Sequence, residues 1–189
     1  MEKGADYFRE ELEFISDAKL KAFVAYCLNE KVPDYFFTMP ASTTGKYHPQ
    51  YSLGEGGLVR HTKAAVKLAN DLLSLEQNAE LHKFKSEVIA ALILHDSVKK
   101  GFQGSSFTAP EHPLCAANLI LQTNAEKKVL PVGQVKLITE LIASHMGQWN
   151  TAYRSTTEIL PKPKTELQKF VHLCDYLASR RYLEVEIGE

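Results

Sequence analysis

The chain has 189 residues, enough for one domain with a substantial core, and no Pro-, Gly- or Ser-rich linker divides it. Its 22 basic and 23 acidic residues give a formal net charge of -1, which argues against the broad positive footprint of a protein that coats nucleic acid and leaves room for a local basic groove. Residues 1–6 are charged and no stretch approaches the roughly 18 apolar residues of a membrane span, so the reading is a soluble, cytoplasmic protein.

In chain order, the first amphipathic helix spans 17–29, with Leu20, Phe23, Val24 and Cys27 on one stripe and Ser16 as the expected N-cap. Pro33, Pro40 and Pro49 then break the pattern, and 31–57 reads as loop and short turns whose aromatics pack on the domain. A second helix opens after Gly56-Gly57, with Leu58, His61, Ala65, Leu68 and Leu72 at i, i+3, i+4 spacing. The third, over 86–98, is nearly all apolar, carries His95-Asp96 and stops near Gly101. After a polar loop, Pro113 at a first helical position starts a helix through Leu114, Ala117, Leu119 and Leu121, with His112 at its entry. Helices over 133–145 and 165–181 follow, separated by a loop over 146–164. Strand-like alternation is nearly absent, so the fold is expected to be all-α: one domain over 1–189, with 1–57 packed on a helical core over 58–181.

Cys27, Cys115 and Cys174 are odd in number, widely spaced and set in apolar helical patterns, which predicts small core residues rather than disulfides or a thiolate zinc site. Histidine is the unusual element. One imidazole on an apolar helical face is ordinarily a hydrogen-bonded core residue. Here His61, His95 and His145 all lie in register with the apolar stripes of their helices, and Asp175 puts a carboxylate among Val171, Cys174 and Ala178. A carboxylate buried without a partner costs several kcal/mol, at least roughly, and imidazoles around a divalent metal would satisfy the whole set at once. His82 and His172 read as solvated, and His48 as a surface-loop residue that has a second reading as a visitor to the site.

The order His61, His95-Asp96, His112, His145, Asp175 resembles the HD-domain superfamily of metal-dependent phosphohydrolases. The resemblance runs over about 20–181. It is strongest at Gly56-Gly57-Leu58-Val59-Arg60-His61-Thr62, Leu94-His95-Asp96-Ser97-Val98-Lys99, Ile142-Ala143-Ser144-His145-Met146-Gly147 and Leu173-Cys174-Asp175, and with Met39-Pro40-Ala41-Ser42 it is most similar to the HD part of bacterial 3′-to-5′ exoribonucleases. The resemblance implies a helical bundle with a metal site in its core. His61, His95, Asp96 and Asp175 would hold a first metal, His112 and His145 would add ligands for a second, and Asp96 would bridge the two. Such ions, roughly 3.5–4 Å apart, clamp phosphoryl oxygens and generate a hydroxide nucleophile at neutral pH. One or two divalent transition metals (Mn, Fe, Co, Ni or Zn) suit mixed imidazole and carboxylate ligation better than calcium does.

Lys99 follows Asp96 by about one turn and reads either as a catalytic phosphate contact or as a cation at a helix C-terminus. Arg60, Gln148 and Arg154 are further substrate-binding candidates, and Trp149 and Tyr153 could stack on a base, with packing an equal alternative for Trp149. Gly54-Glu55-Gly56-Gly57 lacks the Lys-Ser/Thr ending of a P-loop and reads as the entry to the His61 helix. The expected activity is cleavage of a phosphodiester or phosphoanhydride in a nucleotide or short nucleic acid. Nucleotide phosphatase, dinucleoside-polyphosphate hydrolase and noncatalytic nucleotide-binding signalling module are the alternatives, and a homo-oligomer stays open.

Overall fold

A hydrophobic helix with no polar side must be surrounded, and the segment before His95 is the one around which this protein is built. The computed structural model describes residues 4–42 and 44–183; residues 1–3 of the charged start and 184–189 lie outside them. Among the described residues there are nine α-helices and no strand, only an isolated antiparallel bridge between Thr151 and Glu158. In order they are α1 (Arg9–Glu13), α2 (Ala18–Glu30), α3 (Tyr35–Thr38), α4 (Gly57–Leu73), α5 (Ala79–His82), α6 (Lys85–Leu94), α7 (His112–Lys127), α8 (Val132–Ala143) and α9 (Glu166–Ala178).

In α6 every residue from Val88 to Leu94 is buried, and α2, α4, α8 and α9 pack around it. Each fully buried aliphatic such as Leu92 or Ile93 contributes about 1.5–3 kcal/mol of burial. The α4 helix turns Leu58, Thr62, Ala65, Ala69 and Leu73 inward against α6 and α9, while Leu68 and Leu72 lie at the margin of the core. α7 packs on α8.

Several boundaries and faces differ from the sequence expectation. The first long helix is capped by Asp17, whose side chain accepts from the amides of Lys19 and Leu20 at 2.9 and 3.1 Å; Ser16 instead meets Ser86 through their hydroxyls at 3.0 Å. A carboxylate suits that position because it also neutralises the positive end of the helix. Within 31–57 the chain forms α3 and a 3-10 turn at Gln50–Ser52, with Phe36 buried. α6 ends at Leu94, not 98, and α8 at Ala143, so His95-Asp96 and His145 sit in the tight turns that follow. On α7 the buried face is Ala116, Ala117, Leu119, Ile120 and Thr123, whereas Leu114 and Leu121 are exposed. Cys27 and Cys174 are buried and Cys115 is half-buried; all three are free thiols.

The entry to α4 depends on a missing side chain. A Cβ at Gly57 would stand 2.2 Å from the carbonyl oxygen of Ser52, so only glycine lets the preceding turn close against the helix that carries His61.

Candidate metal centre

Five elements deliver the chemistry to one place. His61 projects from the second turn of α4, Asp175 from α9, His112 opens α7, and His95-Asp96 and His145 occupy the turns after α6 and α8. All four histidines and Asp96 are at most 2% exposed. Asp175 Oδ1 lies 2.9 Å from His61 Nε2 and 3.3 Å from His95 Nε2. Asp96 Oδ2 is 3.4 Å from His95 Nε2, and its Oδ1 is 3.0 Å from His112 Nε2 and 3.8 Å from His145 Nε2. Two overlapping donor sets result, His61-His95-Asp175 and His95-Asp96-His145, each with its ligand atoms within 4.8 Å of one another.

The backbone fixes which ring nitrogen faces inward. His95, His112 and His145 each place Nδ1 on the carbonyl oxygen three residues earlier, at Leu92 (2.6 Å), Ala109 (2.8 Å) and Ile142 (2.8 Å). A carbonyl oxygen only accepts, so Nδ1 carries the proton in all three and a neutral ring presents a bare Nε2. Bare nitrogens are then aimed at carboxylate oxygens and at each other: His112 Nε2 and His145 Nε2 are 3.3 Å apart. His95 Nε2 and Asp96 Oδ1 are buried with no hydrogen-bond partner. Lone pairs this close require a cation among them, a proton or a metal, and this donor set fits a divalent metal.

The electrostatics agree. Burial disfavours the His95 imidazolium, but the charges of Asp96 and Asp175 outweigh it and raise its pKa to about 10. Burial and the neighbouring His95 charge push His145 down to about 3. Burial would raise Asp96, yet Lys99, His95 and His112 hold it well below the usual carboxylate range; Asp175 is held low by His61 and His95 in the same way. A positive charge is called for at His95, between two carboxylates.

The centre floors a cleft of about 180 Å³ lined by His48, Lys99, Thr108, Met146, Trp149, Tyr176 and Arg180 among others. Lys99 Nζ is 2.5 Å from Asp96 Oδ2, one tight turn along the chain. Three of the expected substrate contacts are not at the cleft. Arg60 spends its guanidinium on the carbonyls of Tyr51, Leu53 (2.9 Å) and Glu55 (2.8 Å), because i to i+1 geometry turns it away from His61 and over the preceding turn. Gln148 is exposed, and Arg154 lies over the exposed ring of Tyr153, 5.1 Å from its centroid, within the loop closed by the Thr151–Glu158 bridge. His82 is exposed as expected, but His172 is not solvated: its Nδ1 donates to the carbonyl of His145 at 2.7 Å. His48 reaches the cleft, its ring centroid 5.7 Å from that of His61. Tyr176 and Arg180 escaped the sequence reading; the i+1 and i+5 positions after Asp175 were the available signal.

No curated protein and no solved structure gives a match to this chain. The model of the HD domain family matches residues 46–180, which takes in all six clustered histidine and aspartate positions, and the chain therefore belongs to the HD domain family, whose members are generally metal-dependent phosphohydrolases.

Proposed function

We propose that this protein cleaves a phosphodiester or phosphoanhydride bond in a nucleotide or short nucleic acid, with the phosphodiester as the favoured bond. The observation that carries this reading is the convergence of three inward-facing Nε2 atoms and two carboxylates on the floor of a cleft, beside a lysine. Divalent ions bound there supply Lewis acidity toward phosphoryl oxygens and lower the pKa of a water molecule. His61, His95 and Asp175 would hold one ion, and His95, Asp96 and His145, with His112 beside them, a second. Manganese, iron, cobalt, nickel and zinc all suit these ligands. The Lys99 ammonium, kept at the cleft floor by Asp96, would contact a phosphate oxygen and offset negative charge that grows during cleavage. The cleft lies below the roughly 300 Å³ at which pockets for drug-sized ligands begin, which favours entry of a phosphoryl group rather than a long strand.

The test is elemental analysis of the purified protein together with hydrolysis of bis(p-nitrophenyl) phosphate and a nucleotide panel, with and without manganese. Bound transition metal and metal-dependent turnover are expected. Absence of metal uptake and of turnover under every condition would overturn the reading in favour of a noncatalytic nucleotide-binding module.

A further inference from the structure

The cleft has a floor built for phosphate chemistry and a rim of different composition. Trp149 stacks on Tyr176 with ring centroids 5.6 Å apart and planes 12° from parallel, yet remains 46% exposed. Both rings line the cleft. The pair is anchored from below, since the His172 ring approaches Trp149 at 6.0 Å while its Nδ1 is fixed on His145. The rim therefore packs, through His172, on the turn that carries His145.

Arg180 is the second unusual member. Its guanidinium lies 4.5 Å from the centroid of Tyr176 and 5.4 Å from that of Tyr47, held between the two rings. Its Nε and Nη2 bond the hydroxyl of Ser179, and among the described residues it pairs with no carboxylate. Lys99, the other cation of the cleft, is already matched by Asp96. A planar cation stacked on rings, with donors left over and no acidic partner, suits the oxygens of a phosphate. The same cleft is lined by the ligand cluster on its floor and by Trp149, Tyr176 and Arg180 at its rim, so a phosphate on the floor leaves the group attached to it beside the rim.

We propose that Trp149, Tyr176 and Arg180 form a recognition site for one unpaired nucleotide, entered phosphate first. The base stacks on the exposed indole of Trp149, Arg180 holds a non-bridging phosphate oxygen, and the phosphorus is delivered to the floor at Asp96 and Lys99. This rests on the phosphohydrolase reading for the fate of the phosphate, but not for binding. A base inside a duplex has both faces covered by its stacked neighbours, so the rim selects single-stranded ends or single nucleotides, whose bases have a face free for the indole.

Trp149 is the only tryptophan in the chain, which makes its fluorescence a direct report from the rim. The experiment titrates the full, manganese-supplemented protein with the phosphonate isosteres of adenosine 5′-monophosphate and of ribose 5-phosphate, whose P–C bonds resist hydrolysis. Fluorescence and calorimetry are read together. The base-bearing ligand is expected to quench Trp149 and to bind roughly five-fold or more tightly than the abasic one, the ratio a base-aromatic stack supplies. Trp149→Leu should erase that ratio, Trp149→Phe should keep part of it, and Arg180→Gln should weaken both ligands alike. Equal affinities without quenching, or an unchanged ratio in Trp149→Leu, would overturn the proposal and leave the hydrolase reading intact. Base-dependent binding in a protein without turnover would do the reverse.

Discussion

His172 donates through Nδ1 to the carbonyl of His145 at 2.7 Å, and its ring fills the space above Gly147, so α9 directly fixes the turn that presents a proposed metal ligand. Gly147 has φ +61, and a Cβ there would stand 2.2 Å from the ring. Gly147→Ala is expected to lower stability by about 1–3 kcal/mol through overpacking, to which the positive φ adds strain. Metal content should fall with it. Thermal unfolding and elemental analysis of the purified variant check both; an unaltered Tm would show that the ring can step aside.

Asp96 is buried between Lys99, His95 and His112, so its removal leaves a cation uncompensated as well as a ligand missing. Asp96→Asn keeps the shape and is the cleaner variant. It is expected to abolish phosphodiester hydrolysis and to reduce metal stoichiometry while the circular dichroism spectrum stays helical. Retained turnover would remove Asp96 from the proposed centre.

Lys99→Met separates the two readings of that lysine. As a phosphate contact, its loss should lower kcat/KM by roughly two to three orders of magnitude with bound metal unchanged. As a structural counter-ion to Asp96, its loss should appear in the unfolding midpoint and leave kcat/KM of the surviving folded protein intact. Steady-state kinetics on bis(p-nitrophenyl) phosphate beside a chemical denaturation curve decide between them.

His95 gives the metal-free protein a pH signature. Its folded pKa of about 10 stands above the ordinary 6.5, so its protonated form contributes stability fully below pH 6.5 and that contribution is lost as pH rises toward 10. His145 and His48, lowered to about 3 and about 4, contribute stability above pH 6.5 that is lost as pH falls toward those values. The Tm measured in EDTA should therefore decline from pH 7 to pH 9, and added manganese should flatten that decline by replacing the proton. A flat profile in EDTA would contradict the charge placed at His95.

The arrangement of the clustered residues was readable from the helical stripes because His61, His95, His145 and Asp175 repeat the spacing of the apolar residues beside them, and burial of a polar side chain in such a stripe is costly without a partner. The end of α6 was not readable at the right residue: the apolar run stops at Leu94, but Val98 follows it at helical spacing and no helix-breaking residue comes before Gly101, and the tightening of the chain into three-residue turns at Ser97 and Lys99 accompanies two inward-facing polar side chains in succession. The rim was largely hidden. Arg180 and Tyr176 are separated from Trp149 by more than twenty residues, and only the packing of α9 against the turn after α8 brings them together. Adjacency to His61 turns Arg60 to a different side of α4, as its place in the sequence implies, and its carbonyl partners at Tyr51, Leu53 and Glu55 are what the sequence did not reveal.

The surrounded helix α6 also determines what the metal has to accomplish. His95 and Asp96 follow directly on a segment locked in place by apolar packing, and three imidazoles are aimed by carbonyls of their own turns. Little chain entropy remains to be lost when an ion arrives, in contrast to small zinc domains in which coordination and folding are one event. The proposed centre would then act as a preset socket: chelation is expected to empty it reversibly without unfolding the chain, and the choice of metal would follow supply and exchange in its surroundings rather than what the fold needs in order to stand.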